Sequence, residues 1–179
     1  MRIAFAGNPN SGKTTMYNAI TGSNERVGNW AGVTVDKKES YIKKVYTGGK
    51  EITAVDLPGA YSMSPFTAEE SVTRDYINNE HVDAIVNIVD ATNLSRSLFF
   101  TTQLLELGIP VVVALNKTDI NQKKNTVIDT MALSWRLGCP VIETISTDSD
   151  SSDLADVVKT AISLGLSLKK YLFLKGETP

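Results

Sequence analysis

Residues 7 to 14, Gly7-Asn8-Pro9-Asn10-Ser11-Gly12-Lys13-Thr14, have the spacing G-x-x-x-x-G-K-[ST], with Thr15 following. Gly7 and Gly12 let the backbone curl so that successive N–H groups point inward, a cradle for phosphate oxygens at the start of a helix. Lys13 reaches the β- and γ-phosphates, and the Thr14 hydroxyl is placed to hold Mg²⁺. About forty residues on, Asp56-Leu57-Pro58-Gly59 supplies D-x-x-G. Asp56 reaches Mg²⁺, usually through water, and the Gly59 N–H senses the γ-phosphate, which makes Gly59 a switch pivot. Asn116-Lys117-Thr118-Asp119 reads the base. The Asp119 carboxylate accepts from N1–H and the exocyclic amine of guanine. Adenine offers neither donor, and a buried carboxylate left unpaired is costly. Lys117 lies along the base and braces the phosphate loop, and Asn116 ties neighbouring loops together. The site is one for GTP and not for ATP.

Such residues work only if strands and helices bring them to one edge. The cradle follows the apolar run Arg2-Ile3-Ala4-Phe5-Ala6. Strands are expected near 2–6, 36–46, 50–56, 83–89, 110–115 and 140–144, and helices near 13–21, 67–79, 94–107, 127–137 and 151–165. Strands alternating with helices predict an α/β fold. In full, the expectation is a P-loop NTPase, a Ras-like G domain with a six-stranded, mainly parallel sheet flanked by helices. Thr47-Gly48-Gly49-Lys50 reads as a tight hairpin turn, so one strand pair is antiparallel. Ala84–Val89 and Pro110–Leu115 are nearly all apolar, as strands buried on both faces require. Leu94, Leu98, Thr101, Leu104 and Leu105 form a sheet-facing stripe. Trp135 reads as packing on a helix face, His81 as a solvated loop histidine, and Cys139 as a small buried hydrophobe.

The chain has 179 residues, 42% of them hydrophobic, enough for one core. Its net charge of −2 gives no basic field, so nucleic acid is not an expected partner. The single cysteine excludes an internal disulfide and fits a reducing, cytoplasmic setting. No apolar run approaches the roughly 18 residues of a membrane span, and the N-terminus enters a strand directly, so the chain as given is expected to be soluble.

Ser23 to Val35 is a long loop for a compact domain and is therefore a functional candidate. Within it Gly32-Val33-Thr34 contacts the nucleotide, and Thr34 completes Mg²⁺ coordination when the γ-phosphate is present. Trp30 reads equally as a solvent-near residue or as a core anchor. GNPNSGKTT, VGNWAGVTV, DLPGAYSMSP, VDATNLSRSL and VVVALNKTD together resemble the N-terminal G domain of the bacterial ferrous iron transport protein B (FeoB) family. The likeness covers residues 1–165, read as the GTP-binding domain, with 166–179 a tail that begins a connection to helical and membrane regions. It implies a GTPase on the cytoplasmic face of the bacterial cell membrane, excised here from a transporter of Fe²⁺ and partnered by those missing domains. Oligomeric state is left open.

The resemblance also implies that Asn10 helps to hold K⁺, with the backbone carbonyls of Gly28 and Trp30 as further ligands. A monovalent cation would then supply the charge that an arginine finger gives elsewhere, worth about 10³ to 10⁵ in rate, or roughly 4–7 kcal/mol. Arg26, Arg74 and Arg96 are read as surface arginines. Asn10, Lys13, Thr34 and Gly59 are the residues expected to act on the reaction. Three positions depart from the family pattern. Ala31 stands where proline is common and loosens the loop. Lys117 stands where many relatives carry methionine. The last box, Thr144-Ile145-Ser146-Thr147, replaces the usual Ser-Ala; Ile145, Ser146 and Thr147 are its nucleotide-binding positions, and the box contacts the guanine oxygen mainly by a backbone N–H. Ala60 occupies the place of a water-orienting glutamine, which keeps a slowly hydrolysing nucleotide sensor in play. A soluble ribosome-assembly or RNA-associated GTPase is the other alternative, though no basic appendage supports it.

Overall fold

A computed structural model describes residues 1–21, 26–30, 36–148 and 152–175. Of Arg26–Asn29 and Asp36 it describes only the backbone. The loop residues Ala31, Gly32, Val33 and Thr34 lie outside the described residues.

Strand β1 (Arg2–Gly7) sits in the middle of a seven-stranded sheet and leads into helix α1 (Lys13–Ile20). The remaining strands are β2 (Arg26–Asn29), β3 (Asp36–Tyr41), β4 (Thr53–Asp56), β5 (Ala84–Asp90), β6 (Val111–Asn116) and β7 (Val141–Thr144). Their spatial order is β2-β3-β4-β1-β5-β6-β7. Both pairings of β3 are antiparallel and all others are parallel. The α/β architecture and mainly parallel sheet are as expected. The additional edge strand, Arg26–Asn29, lies inside the long loop and pairs with Asp36–Glu39.

The other helices are α2 (Lys44–Thr47), α3 (Ala68–Asn79), α4 (Leu94–Leu105), α5 (Thr118–Lys123), α6 (Thr130–Leu137) and α7 (Ser152–Lys175). Side-chain alternation along β1 sorts the core into two layers. Ile3 and Phe5 point to the face covered by Met16, Tyr17 and Ile20 of α1 and by Leu154, Val157 and Val158 of α7. Ala4 and Ala6 point to the opposite face, where Tyr76 and Ile77 of α3 and Phe100 and Leu104 of α4 pack. Strands β5 and β6 are buried almost throughout, which is why they read as unbroken apolar runs.

Several boundaries differ from the sequence reading. The strand expected over 36–46 stops at Tyr41, and α2 replaces its end. Tyr46 packs on the core beside buried Ile42, and its N–H donates to Lys43 O at 3.0 Å, a turn bond that an extended strand does not make. Helix α6 starts at Thr130, where the Asp129 side chain caps it by accepting from Ala132 N at 2.9 Å. The base-reading box itself opens α5, a helix not among those expected. Helix α7 runs without a break through residue 165 to Lys175, ten residues past the expected end and across the expected domain limit.

Candidate functional site

The phosphate loop joins β1 to α1 at the C-terminal edge of the sheet, the place where open α/β sheets bind ligands. Gly12 caps α1 with φ 94°, a left-handed conformation, and a Cβ there would sit 2.2 Å from Asn116 Nδ2. Only glycine fits both conditions. The helix has no side-chain cap and no acidic residue in its first turn. Its first N–H groups therefore lack intrahelical acceptors and present positive charge to the space in front.

That space is a cavity of about 690 Å³ walled by Asn8, Pro9, Asn10, Gly12, Lys13, Thr14, Thr15, Pro58, Gly59, Glu69 and Lys117. The first two boxes are in direct contact. Lys13 Nζ pairs with Asp56 Oδ1, and Thr14 Oγ1 lies 3.4 Å from Asp56 Oδ2. Both members of the ion pair are nearly buried. Asn116 connects three segments, since its Nδ2 donates to Ser11 O at 2.8 Å and its Oδ1 accepts from Ser146 N at 2.9 Å. The hydroxyls of Ser11 and Ser146 and the Asn8 Oδ1 are buried with no hydrogen-bond partner. Such orphans are rare unless a ligand or water completes them; an anionic guest is favoured by the Lys13 ammonium and by the free N–H groups of the α1 N-terminus.

Asp119 lies in the first turn of α5 with its carboxylate part-exposed, and Lys123 Nζ stands 3.8 Å away. Thr118 is buried and its hydroxyl faces Thr144 O at 3.4 Å. In the last box Ser146 is buried, Ile145 half-buried and Thr147 exposed. Leu57 is buried and its N–H donates to Phe5 O at 3.1 Å, which holds the start of the D-x-x-G turn against β1.

Not every candidate converges on the cavity. Trp30 is buried, its ring edge-on to Tyr76 with centroids 5.1 Å apart and Lys37 Nζ 5.2 Å above it, so the core-anchor reading holds. Trp30 lines a separate hollow beside α3, and Gly28 lies in the edge strand β2. Asn10 is the member of the proposed K⁺ set that walls the cavity. Arg74 pairs with Asp75, and Arg96 stacks 4.1 Å from the Tyr61 ring centroid. Neither is a wall of the cavity. Ala60 is fully buried in the core layer beneath α3, so its methyl group packs, and it is not a wall of the cavity.

The sequence reading missed two glutamates. Glu69 is a wall of the cavity. The Glu70 carboxylate accepts from Tyr61 N at 3.0 Å and Phe66 N at 2.9 Å, clamping the segment after Gly59. Burial pushes its pKa up, but the surrounding backbone N–H groups outweigh that and leave it lowered. The signal was present as Thr67-x-x-Glu70, a capping-box spacing, and the Thr67 hydroxyl does accept from Glu70 N at 3.2 Å. His81 is largely exposed, with Nε2 3.1 Å from Asp83 Oδ1. Cys139 is buried, which raises its thiol pKa to about 11. Trp135, expected to pack, is 86% exposed.

Fold and site together define a P-loop NTPase domain of the G-domain type. The model of the ferrous iron transport protein B family matches residues 1–160. The Fe(2+) transporter FeoB of Escherichia coli K12 is 51% identical over 151 residues, 82% of this chain and 19% of that protein. A GDP-bound point mutant of the S. thermophilus FeoB G-domain superposes with a TM-score of 0.84 at 47% identity, covering 93% of this chain and 62% of that one. An S. thermophilus NFeoB variant bound to GDP·AlF4⁻ gives 0.80 at 47% identity, covering 92% and 64%. The chain belongs to the ferrous iron transport protein B family and corresponds to its N-terminal G domain. It spans about one fifth of the length of the curated relatives it matches.

Proposed function

We propose that this chain binds and hydrolyses GTP as the cytoplasmic regulatory domain of a ferrous iron membrane transporter, joined there to helical and membrane-spanning parts. The observation that carries the reading is the single cavity edge at which the uncapped α1 N-terminus, the Lys13–Asp56 pair and the Asn116 bridge meet. The GDP and GDP·AlF4⁻ held by its relatives support the same guest.

In the described arrangement the Lys13 ammonium neutralises Asp56. When nucleotide enters, Lys13 turns to the β- and γ-phosphates and Asp56 is released. Asp56, Thr14 and Thr34 would hold Mg²⁺, which would neutralise phosphate charge. The loop N–H groups and the α1 N-terminus orient the phosphates, and the Gly59 N–H faces the γ-phosphate. Asp119 and Lys117 select guanine, with backbone N–H groups of Ile145, Ser146 and Thr147 at its oxygen. Asn10 would help to hold K⁺, which would supply there the positive charge that an arginine finger gives elsewhere, in keeping with Arg74 and Arg96 being otherwise engaged.

Phosphate release from GTP tests this directly. Turnover should be faster in KCl than in NaCl at matched ionic strength, Asn10→Ala should erase that difference with little loss of affinity, and Lys13→Ala should lower turnover by orders of magnitude. Equal rates in the two salts with Asn10 intact would remove the cation role, and full activity of a folded Lys13→Ala protein would sink the phosphate assignment.

A further inference from the structure

A carboxylate at the end of β5 belongs to none of the nucleotide-reading boxes, yet it meets one of them and, through it, a second. Asp90 pairs in register with Asn116 of β6, so its side chain leaves the sheet beside Lys117. One oxygen, Oδ1, accepts from Thr92 N at 2.9 Å and from Thr92 Oγ1 at 2.6 Å, which fixes the carboxylate in place. The other, Oδ2, accepts from Lys117 Nζ at 2.6 Å. The same ammonium donates to the main-chain carbonyl of Asn10, also at 2.6 Å. Three segments distant in sequence therefore meet at one nitrogen.

Both residues joined by this nitrogen are held in an uncommon backbone conformation. Asn10 has φ 65° and Lys117 φ 66°; asparagine tolerates this left-handed region, but lysine adopts it only when its surroundings over-determine it. Lysine carries its charge on a flexible four-carbon stem, and a neutral carbonyl alone is a weak anchor for it. A charged acceptor roughly doubles the strength of the bond. The Asp90 side chain is 16% exposed and Lys117 29%, so solvent screens the pair less than an open surface pair.

We propose that Asp90 is a positioning residue of the nucleotide site. It holds Lys117 so that the ammonium reaches Asn10, and thereby fixes the tip of the phosphate loop and slows nucleotide release. The guanine-nucleotide reading above is the premise, and Asp90 itself touches no substrate. A purely structural ion pair would stabilise the fold without this effect on release.

A double-mutant cycle read by release of fluorescently labelled GDP separates the two. Asp90→Asn should speed release about tenfold, the lower end of what a charged hydrogen bond contributes. In the Lys117→Met background the same substitution should change release less than twofold. Thr92→Val, which removes the hydroxyl donor to Oδ1 but keeps the Thr92 N–H and both charges, should give a smaller acceleration that also vanishes in the Lys117→Met background. Equal effects of Asp90→Asn in both backgrounds, or none in either, would overturn the proposal while leaving the nucleotide reading standing. Failure of the unsubstituted chain to bind labelled GDP would overturn both.

Discussion

Asp119 shows how a single carboxylate sets base choice. Its nearest cation, Lys123, is 3.8 Å away and largely solvated, so the acid is not consumed by an internal ion pair. Asp119→Asn should weaken GTP binding by about 10²-fold or more, while xanthosine triphosphate, which offers an oxygen where guanine has its amine, should gain. A competition assay decides it, and undiminished guanine preference would refute the assignment. At this scale the boxes were legible because each needs particular residue types at fixed spacing. Trp135 was not. It lies two residues from Leu133, and on a helix that separation puts side chains on opposite sides. Leu133 is half-buried, whereas Trp135 and Met131, four apart, share the exposed side. Asp90 was equally illegible, because only the β5–β6 register places it beside Lys117.

At the scale of elements, the long helix α7 is pinned to the sheet end opposite the cavity. Gly165 allows close approach there, since a Cβ would lie 2.9 Å from the main-chain oxygen of Asp83. The Asp83 carboxylate, almost wholly buried, accepts from Arg2 N at 2.6 Å and pairs with Lys169 Nζ at 2.7 Å. Burial alone would raise its pKa, but Lys169, the Arg2 N–H and His81 outweigh it and hold it below the ordinary value of 3.8. A depressed folded-state pKa stabilises fully above the unfolded value and loses that contribution as pH falls through the folded one. Unfolding midpoints measured from pH 7 down to about 2 should therefore fall less steeply for Asp83→Asn than for the parent, from a lower plateau at neutral pH. Parallel curves would show that Asp83 is not the titrating group. The central strands and the helices that cover them were readable from apolar runs and 3.6-residue periodicity. The ends of α7 and β3 were not, because contacts distant in sequence decide them: Lys169 with Asp83, and Lys43 N with Ile20 O at 3.0 Å.

For the molecule as a whole, the cavity joins segments from residue 8 to residue 117, so whatever fills it ties the two halves of the sheet together. Among the described residues no helix is long and apolar enough to cross a membrane, and no cluster of His, Cys, Asp or Glu is built to hold a metal. On the function proposed above, the contribution of this domain is its response to nucleotide. That response should be visible in stability. A ligand at one hundred times its Kd stabilises the folded state by about 2.7 kcal/mol. For a chain of 179 residues, each kcal/mol moves Tm by about 2–4 °C, which predicts a rise of roughly 5–11 °C with GDP. Lys13→Ala at the same ligand concentration should cut the rise to about 1–2 °C, since a hundredfold loss of affinity leaves only about 0.4 kcal/mol of linkage. ATP should give almost none, because its base cannot satisfy Asp119. A GDP-induced rise that survived Lys13→Ala unchanged would mean that the ligand binds outside the cradle, and the whole assignment of this edge of the sheet would fall with it.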